Sequence, residues 1–463
     1  MKRSLFILTL LSLFSFSFSV FSQTAPHIQG KVFVDINTGL FRCDFTLSNL
    51  ELLKEYSILI NKGMNIKTFQ DANQNTIGYD GFYDGKMKGE AIEYTLIDKN
   101  RKPLSLPKSF RVSYVGAFPR YVDSYNAFDF KGFIAINDET IRATEQTKWY
   151  PVIYDAKEDR KINNYTYNIE VELVGGTSIF LNGSAPKKAQ KAMFTSQKAV
   201  PLLLFAGNFD FVESEGNYII NANIEKEQAT KVFENVKLVQ DYLAESLDQT
   251  FDGNIYLINH KAVNKRRGSW GFNTYPTFAF TGKNMFKNIL TKEGKFDNNS
   301  YRYFGHEFAH NYFGNNVQSG VLYWFWLESF PEYLSFTFAE KMGGKAFLNK
   351  VLESKFKSVE KRSYVPLPQV KDPNQVNGSY RYNMGPLILL SFDLQFGRER
   401  AFDVLKKLLA FAETETLTLN HLKRAAIESG VSSKAYKTFA ADFIESKDFK
   451  KNTLRFLKSK VKK

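Results

Sequence analysis

Two of the chain's five histidines fall in one nine-residue stretch, Gly305-His306-Glu307-Phe308-Ala309-His310-Asn311-Tyr312-Phe313. The pattern His-Glu-x-x-His, set in an apolar, helix-favouring run, commits this segment to a helix, where residues i and i+4 stand one above the other on a single face. His306 and His310 then present two imidazole nitrogens to one metal ion, a donor pair that suits zinc. Glu307 is too close in sequence to be a comfortable third ligand, but it is placed to hold and deprotonate a water at the metal. A helix with two buried, hydrogen-bonded histidines would spell the same letters, so the pentapeptide leaves a purely structural alternative open.

Catalytic zinc takes three protein donors and keeps one position for water, so one more His, Asp or Glu is needed. Two candidates follow, Glu328 in Trp326-Leu327-Glu328-Ser329-Phe330 and Glu332 in Pro331-Glu332-Tyr333. Leu327, Phe330, Leu334 and Phe338 recur at helical spacing, which predicts a helix from Trp326 to Lys341. Both carboxylates share one face of it, being four apart.

His306 to Gly314, Asn315 and Trp326 to Tyr333 resemble the gluzincin metallopeptidases of the alanyl aminopeptidase and leukotriene hydrolase family. That family's core reads His-Glu-x-x-His, Phe-Gly-Asn and Asn-Glu-Gly-Phe-Ala-x-Tyr. The resemblance implies one Zn2+ ion held by His306, His310 and Glu328, with Glu307 as the catalytic base. Glu332, one turn on, then suits an orienting role on a zinc-bound histidine, against the alternative of an exposed helix carboxylate. Seventeen residues separate His310 from Glu328, where the family has eighteen; a deletion in the loop from Gln318 to Tyr323 absorbs the difference. Tyr380-Arg381-Tyr382-Asn383-Met384-Gly385 resembles the family's Tyr-x-x-Gly, which gives Tyr382 the role of oxyanion donor. Thr144-Glu145-Gln146 with Trp149-Tyr150-Pro151 resembles the stretch of the β-domain that meets the active site.

One departure lies upstream of the zinc helix. Family aminopeptidases carry Gly-Ala-Met-Glu-Asn followed by Trp-Gly, and the glutamate grips the substrate's free amine. Here Trp270-Gly271 is kept, Gly268 stands at the glutamate's place, and Arg266 and Arg267 beside it repel a cationic amine. Glu145 is the candidate substitute. The arginines read either as carboxylate binders or as a solvated loop.

Residues 27–200 show short alternating runs such as Lys31 to Ile36, Tyr56 to Ile60, Ser109 to Tyr114 and Tyr165 to Val174, the period of antiparallel strands. Near residue 200 the pattern changes, and from Glu225 onward helical spacing dominates. The expected fold class is α+β, an N-terminal antiparallel β-sandwich or saddle over 23–205 followed by a thermolysin-like, mostly helical catalytic domain over 206–463. Met1-Lys2-Arg3 and the uncharged Leu- and Phe-rich run from Leu5 to Val20 read as a signal peptide, 1–22, with an uncleaved anchor as the alternative. That predicts a secreted or periplasmic protein. Beyond it no uncharged run is long enough to cross a bilayer. The single cysteine, Cys43, excludes an intrachain disulfide, so core burial and the metal must supply stability.

The net charge of +14 is mild for 463 residues, and much of it sits in the last seventeen, where seven lysines and one arginine face a single acid, Asp448. This reads as a contact for an acidic surface or as a solvated terminal helix; no nucleic-acid fingerprint accompanies it. The function expected is a secreted zinc-dependent peptidase acting on peptide substrates, aminopeptidase-like but without the amine-gripping glutamate. The competing reading is a catalytically inactive, peptidase-like binding protein.

Overall fold

A computed structural model describes residues 25–83, 90–122, 129–250, 253–264, 270–281, 285–314, 317 and 319–461. The expected signal peptide, Arg266, Arg267, Gly268 and Asn315 lie outside the described residues. The chain is a mixed α+β fold, β-rich first and helical afterwards, as the sequence predicts.

The first layer is an eleven-stranded sheet. Its strand order is Arg160–Ile162, Val152–Asp155, Tyr56–Asn61, Ala91–Ile97, Thr76–Phe82, Met64–Gln70, Phe110–Ala117, Leu40–Ser48, His27–Asp35, Asn164–Val174 and Lys191–Pro201. Alternation sets its buried face: Leu40–Ser48 sends Phe41, Cys43, Phe45 and Leu47 into the core. The sheet departs from the antiparallel expectation at one pair, His27–Asp35 beside Asn164–Val174, which run parallel. Period two specifies which face a strand buries and carries no information about its neighbour.

A second sheet, ordered Ser178–Leu181, Leu204–Gly207, Thr140–Ala143 and Ala135–Ile136, lies beneath it. Ile179, Leu181, Leu204 and Ala206 join the core under the large sheet, whereas Phe180 and Phe205 join a separate cluster on the other side. Its apolar runs are continuous because both faces are covered. Past it lies a mixed five-stranded sheet, Phe211–Ser214, Asn217–Ile220, Tyr256–Asn259, Thr277–Phe280 and Gly271–Thr274. Ile220, Tyr256, Ile258 and Ala279 face the second sheet; Ile219, Leu257, Phe278 and Phe280 face the helices.

The helices are α1 (Lys226–Leu247), α2 (Met285–Asn288), α3 (Asn298–Ala309), α4 (Phe330–Glu360), α5 (Gly385–Phe396), α6 (Arg398–Ala412), α7 (Leu419–Glu428), α8 (Ser433–Ala440) and α9 (Phe449–Val461). Among the described residues none is long and apolar enough to cross a membrane. Helix α3 starts at Asp297, whose Oδ1 accepts from the Ser300 N–H at 2.7 Å. It sits on the third sheet through Phe308, stacked on Phe278 at 3.8 Å, and Phe304, 5.3 Å from Phe280. Those two rings, four residues apart, claim the sheet side and turn 306 and 310 to the opposite side.

The first arm of α4 is buried all round from Phe330 to Ala339, as befits a core helix. Gly344, at φ 73° and ψ 176°, interrupts it in a region open essentially only to glycine. The second arm is amphipathic, burying Leu348, Leu352, Phe356 and Val359. Helix α9 braces this arm, with Asn349 donating to the Val461 carbonyl and Lys458 paired with Glu360. The final helices thus pack mainly on one another, on α5 and on α4.

Because Phe308 is the seat of α3, Phe308→Ala is expected to destabilise the chain by about 3–5 kcal/mol. Urea unfolding measures it; a loss below about 1 kcal/mol would show that α3 is held elsewhere.

Candidate metal centre

Two short π-helical stretches supply what α3 lacks. Phe325–Ser329 leads into α4 and carries Glu328; Tyr380–Met384 leads into α5, closed by the Gly385 N–H on the Tyr380 carbonyl, and carries Tyr382. Such wide turns are found disproportionately at functional sites. The stretches abut closely: a Cβ on Gly385 would lie 2.0 Å from Ser329 Oγ, and that hydroxyl donates to the Arg381 carbonyl at 3.0 Å. The glycine of Tyr-x-x-Gly is therefore needed for the close approach that sets Tyr382 beside Glu328.

His306, His310 and Glu328 converge. Nε2 of His310 lies 3.2 Å from Nε2 of His306, and Glu328 Oε2 lies 3.5 Å from each. These atoms form a nearly equilateral triangle, and the point equidistant from them is about 2 Å from each, the length of a zinc–ligand bond. Glu328 Oε2 is buried without a hydrogen-bond donor, an arrangement that costs free energy unless a cation takes the oxygen. The donor set and its spacing fit zinc.

Glu332 lies behind the triangle. Its Oε2 is 2.9 Å from His306 Nδ1, and its Oε1 receives Arg302 Nη2 at 2.6 Å and Lys355 Nζ at 2.7 Å. Burial raises the carboxyl's pKa, but Lys355, His306 and Arg302 outweigh burial and hold it well below the usual range. Lys355 also donates to the Tyr382 carbonyl at 2.7 Å, linking Glu332 to the stretch that carries Tyr382. Burial by itself favours a neutral His306; Glu328 and Glu332 overcome it and push the imidazole up to about 10.

Glu307 is buried on the same helix, and burial raises its pKa, with His306, His310 and Lys131 opposing. Its backbone carbonyl is fixed by Asn273 Nδ2 at 3.0 Å, which also reaches Asn311 Oδ1 at 2.8 Å. The Tyr382 ring stands 5.8 Å from that of His306. Burial and the carboxylates of Glu328 and Glu307 keep the Tyr382 hydroxyl protonated, hence a neutral donor.

The remaining sequence candidates divide. Glu145 is brought close: it is buried, its Oε1 pairs with Lys131 Nζ at 2.5 Å and its Oε2 accepts from Thr274 Oγ1 at 2.9 Å. Lys131 also donates to the carbonyl of Asn273, the residue whose side chain holds the Glu307 carbonyl. Gly271 leaves room for Tyr303 Oη, which would stand 2.1 Å from a Cβ there. Trp270 meets the His260 ring at 5.0 Å and the Arg142 guanidinium at 4.9 Å. Sequence reasoning missed Arg302, Lys131 and Lys355. Arg302 was findable, four residues before His306 on the same face; the two lysines carry no local signal among 62 cationic residues.

No sequence-family model matches the chain, and no curated sequence does. Solved structures do match. The M1 zinc metallopeptidase from Deinococcus radiodurans superposes with a TM-score of 0.60 at 14% identity, covering 92% of this chain and 94% of that one. Leukotriene A4 hydrolase from Saccharomyces cerevisiae gives 0.61 at 11%, covering 89% and 66%. Legionella pneumophila aminopeptidase A in complex with aspartic acid gives 0.59 at 13%, covering 91% of this chain and 49% of that one. The likeness is one of fold.

Zinc binds imidazole only in its neutral form, whereas Glu328 and Glu332 keep His306 protonated at neutral pH in the metal-free site. Zinc affinity is therefore expected to rise with pH from 6 to 9, with about one proton released per ion. Calorimetry in buffers of different ionisation enthalpy reads this directly, and a heat independent of buffer would contradict it.

Proposed function

We propose that the chain is a zinc-dependent hydrolase of peptide bonds, allied to the metallopeptidases that share its fold. The observation that carries this reading is the convergence of His306 Nε2, His310 Nε2 and Glu328 Oε2 on one point, with Glu307 alongside. Zinc bound there supplies Lewis acidity, polarising the scissile carbonyl and making water a nucleophile near neutral pH. Glu307, its pKa raised by burial, takes the proton of the attacking water and passes it to the leaving amine. Tyr382 offers its hydroxyl to the oxygen that gains charge. Glu332 fixes the imidazole plane of His306, and Lys355 fixes Glu332 against the Tyr382 backbone.

Both oxygens of Glu145 are taken, so a substrate's free amine meets no open carboxylate there. The reading is accordingly one of cleavage that does not require a free N-terminus. It includes export, supported by the composition of residues 1–22, and a division near residue 205, supported by the change from sheet packing to sheet-and-helix packing.

Glu307→Gln is expected to lower kcat by about 10²- to 10⁴-fold with zinc content unchanged. Undiminished hydrolysis in that variant, with contaminating proteases excluded, would rule out the mechanism. Peptides matched except for a free or acetylated N-terminus should be cleaved at comparable rates by the native chain. Mass spectrometry of the products decides: loss of single N-terminal residues from the free set alone would make it an aminopeptidase.

A further inference from the structure

The carboxylates of the centre are all committed. Glu328 faces the imidazoles, Glu332 is shared by Arg302, Lys355 and His306, Glu145 is held by Lys131 and Thr274, and Glu307 is the base of the proposed reaction. The cations are less evenly matched. Arg381 immediately precedes Tyr382 in the same π-helical stretch, and its side chain is held on two sides. The guanidinium lies 3.5 Å from the centre of the Trp324 ring, and Nε donates to the Val376 carbonyl at 2.7 Å. Its terminal amino groups, Nη1 and Nη2, have no partner among the described residues, and the side chain is only partly buried.

The charge that Arg381 feels most strongly is the Glu328 carboxylate. Yet Glu328 is the group the metal takes. Once it is bound, Arg381 is a rigid cation at the edge of the centre with no anion of its own. A flat guanidinium, stacked on an indole and anchored through Nε, offers its two amino groups in the fork that matches a carboxylate. Its rotamer freedom is already lost, so little entropy remains to be lost on binding.

We infer that Arg381 receives a carboxylate of the substrate, either the C-terminal one or that of an acidic side chain, close to the scissile bond. The inference rests on the peptidase reading and adds to it a substrate class: peptides recognised through a negative group rather than through a free amine. Lys131, spent on Glu145, cannot take this part. Arg381 can, because its fork is open.

The test is binding to the zinc-loaded full chain carrying Glu307→Gln, so that peptides persist. Fluorescence anisotropy compares N-acetylated peptides as C-terminal acid and amide, and separately with Asp or Asn at each internal position. One carboxylate peptide is expected to bind about 10- to 100-fold more tightly than its uncharged twin. The arm that shows the difference identifies the source of the carboxylate. In Arg381→Met the difference should collapse to below about threefold, and Arg381→Lys, which keeps the charge and loses the fork, should fall between. The lysine variant also serves should the methionine variant not fold. Equal binding of all twins, or a difference that survives Arg381→Met, overturns the inference and leaves the peptidase reading standing. Failure of every peptide to bind at full zinc occupancy overturns both.

Discussion

The candidate metal centre depends on one buried carboxylate, Glu332, that is not among its three converging donors. A charge at 3% exposure is tolerable only when its lone pairs are taken, and Glu332 has Arg302 and Lys355 on one oxygen and His306 on the other. The partners come from two parts of the chain: α3 twice, the second arm of α4 once. The pin therefore joins the helix bearing the histidines to the helix bearing the third donor, and Lys355 extends it to the Tyr382 backbone. Removing a single partner would leave one of these lone pairs less well matched in a buried site. Geometry and stability at this centre are consequently the same problem.

The layers explain why α3 can carry so much polarity. Phe304 and Phe308 meet a sheet whose own far side is covered by a second sheet, so the apolar face of α3 is fully buried without help from its polar face. His306, Glu307 and His310 are left to the centre. The continuous apolar strands Ser178–Leu181 and Leu204–Gly207 are what make the middle layer possible.

Much of this was legible in the sequence where chemistry is local. The i, i+4 spacing of His306 and His310 fixes their common face, and helical periodicity from Trp326 to Lys341 placed the first arm of α4 to within a few residues, but not the arm that follows the break at Gly344. Donor count and periodicity narrowed the third ligand to Glu328 or Glu332, and resemblance chose Glu328 and supplied Tyr382; the π-helical turns that carry both leave no recognisable period in the sequence. What stayed hidden is long-range: the parallel pairing of His27–Asp35 with Asn164–Val174, and the arrival of Lys131 and Lys355 at their carboxylates. An ordinary lysine announces neither its burial nor its partner.

On a straight helix Glu332 and Lys355, 23 residues apart, would stand about 34 Å from each other. They touch, because the break at Gly344 folds the second arm of α4 back alongside the first. That reversal is a clasp made from one polypeptide segment, and its bight is a single glycine with open space beside it. The C-terminal helix, by bracing the returning arm, keeps the clasp shut, so the last residues of the chain have a mechanical line to the imidazole of His306.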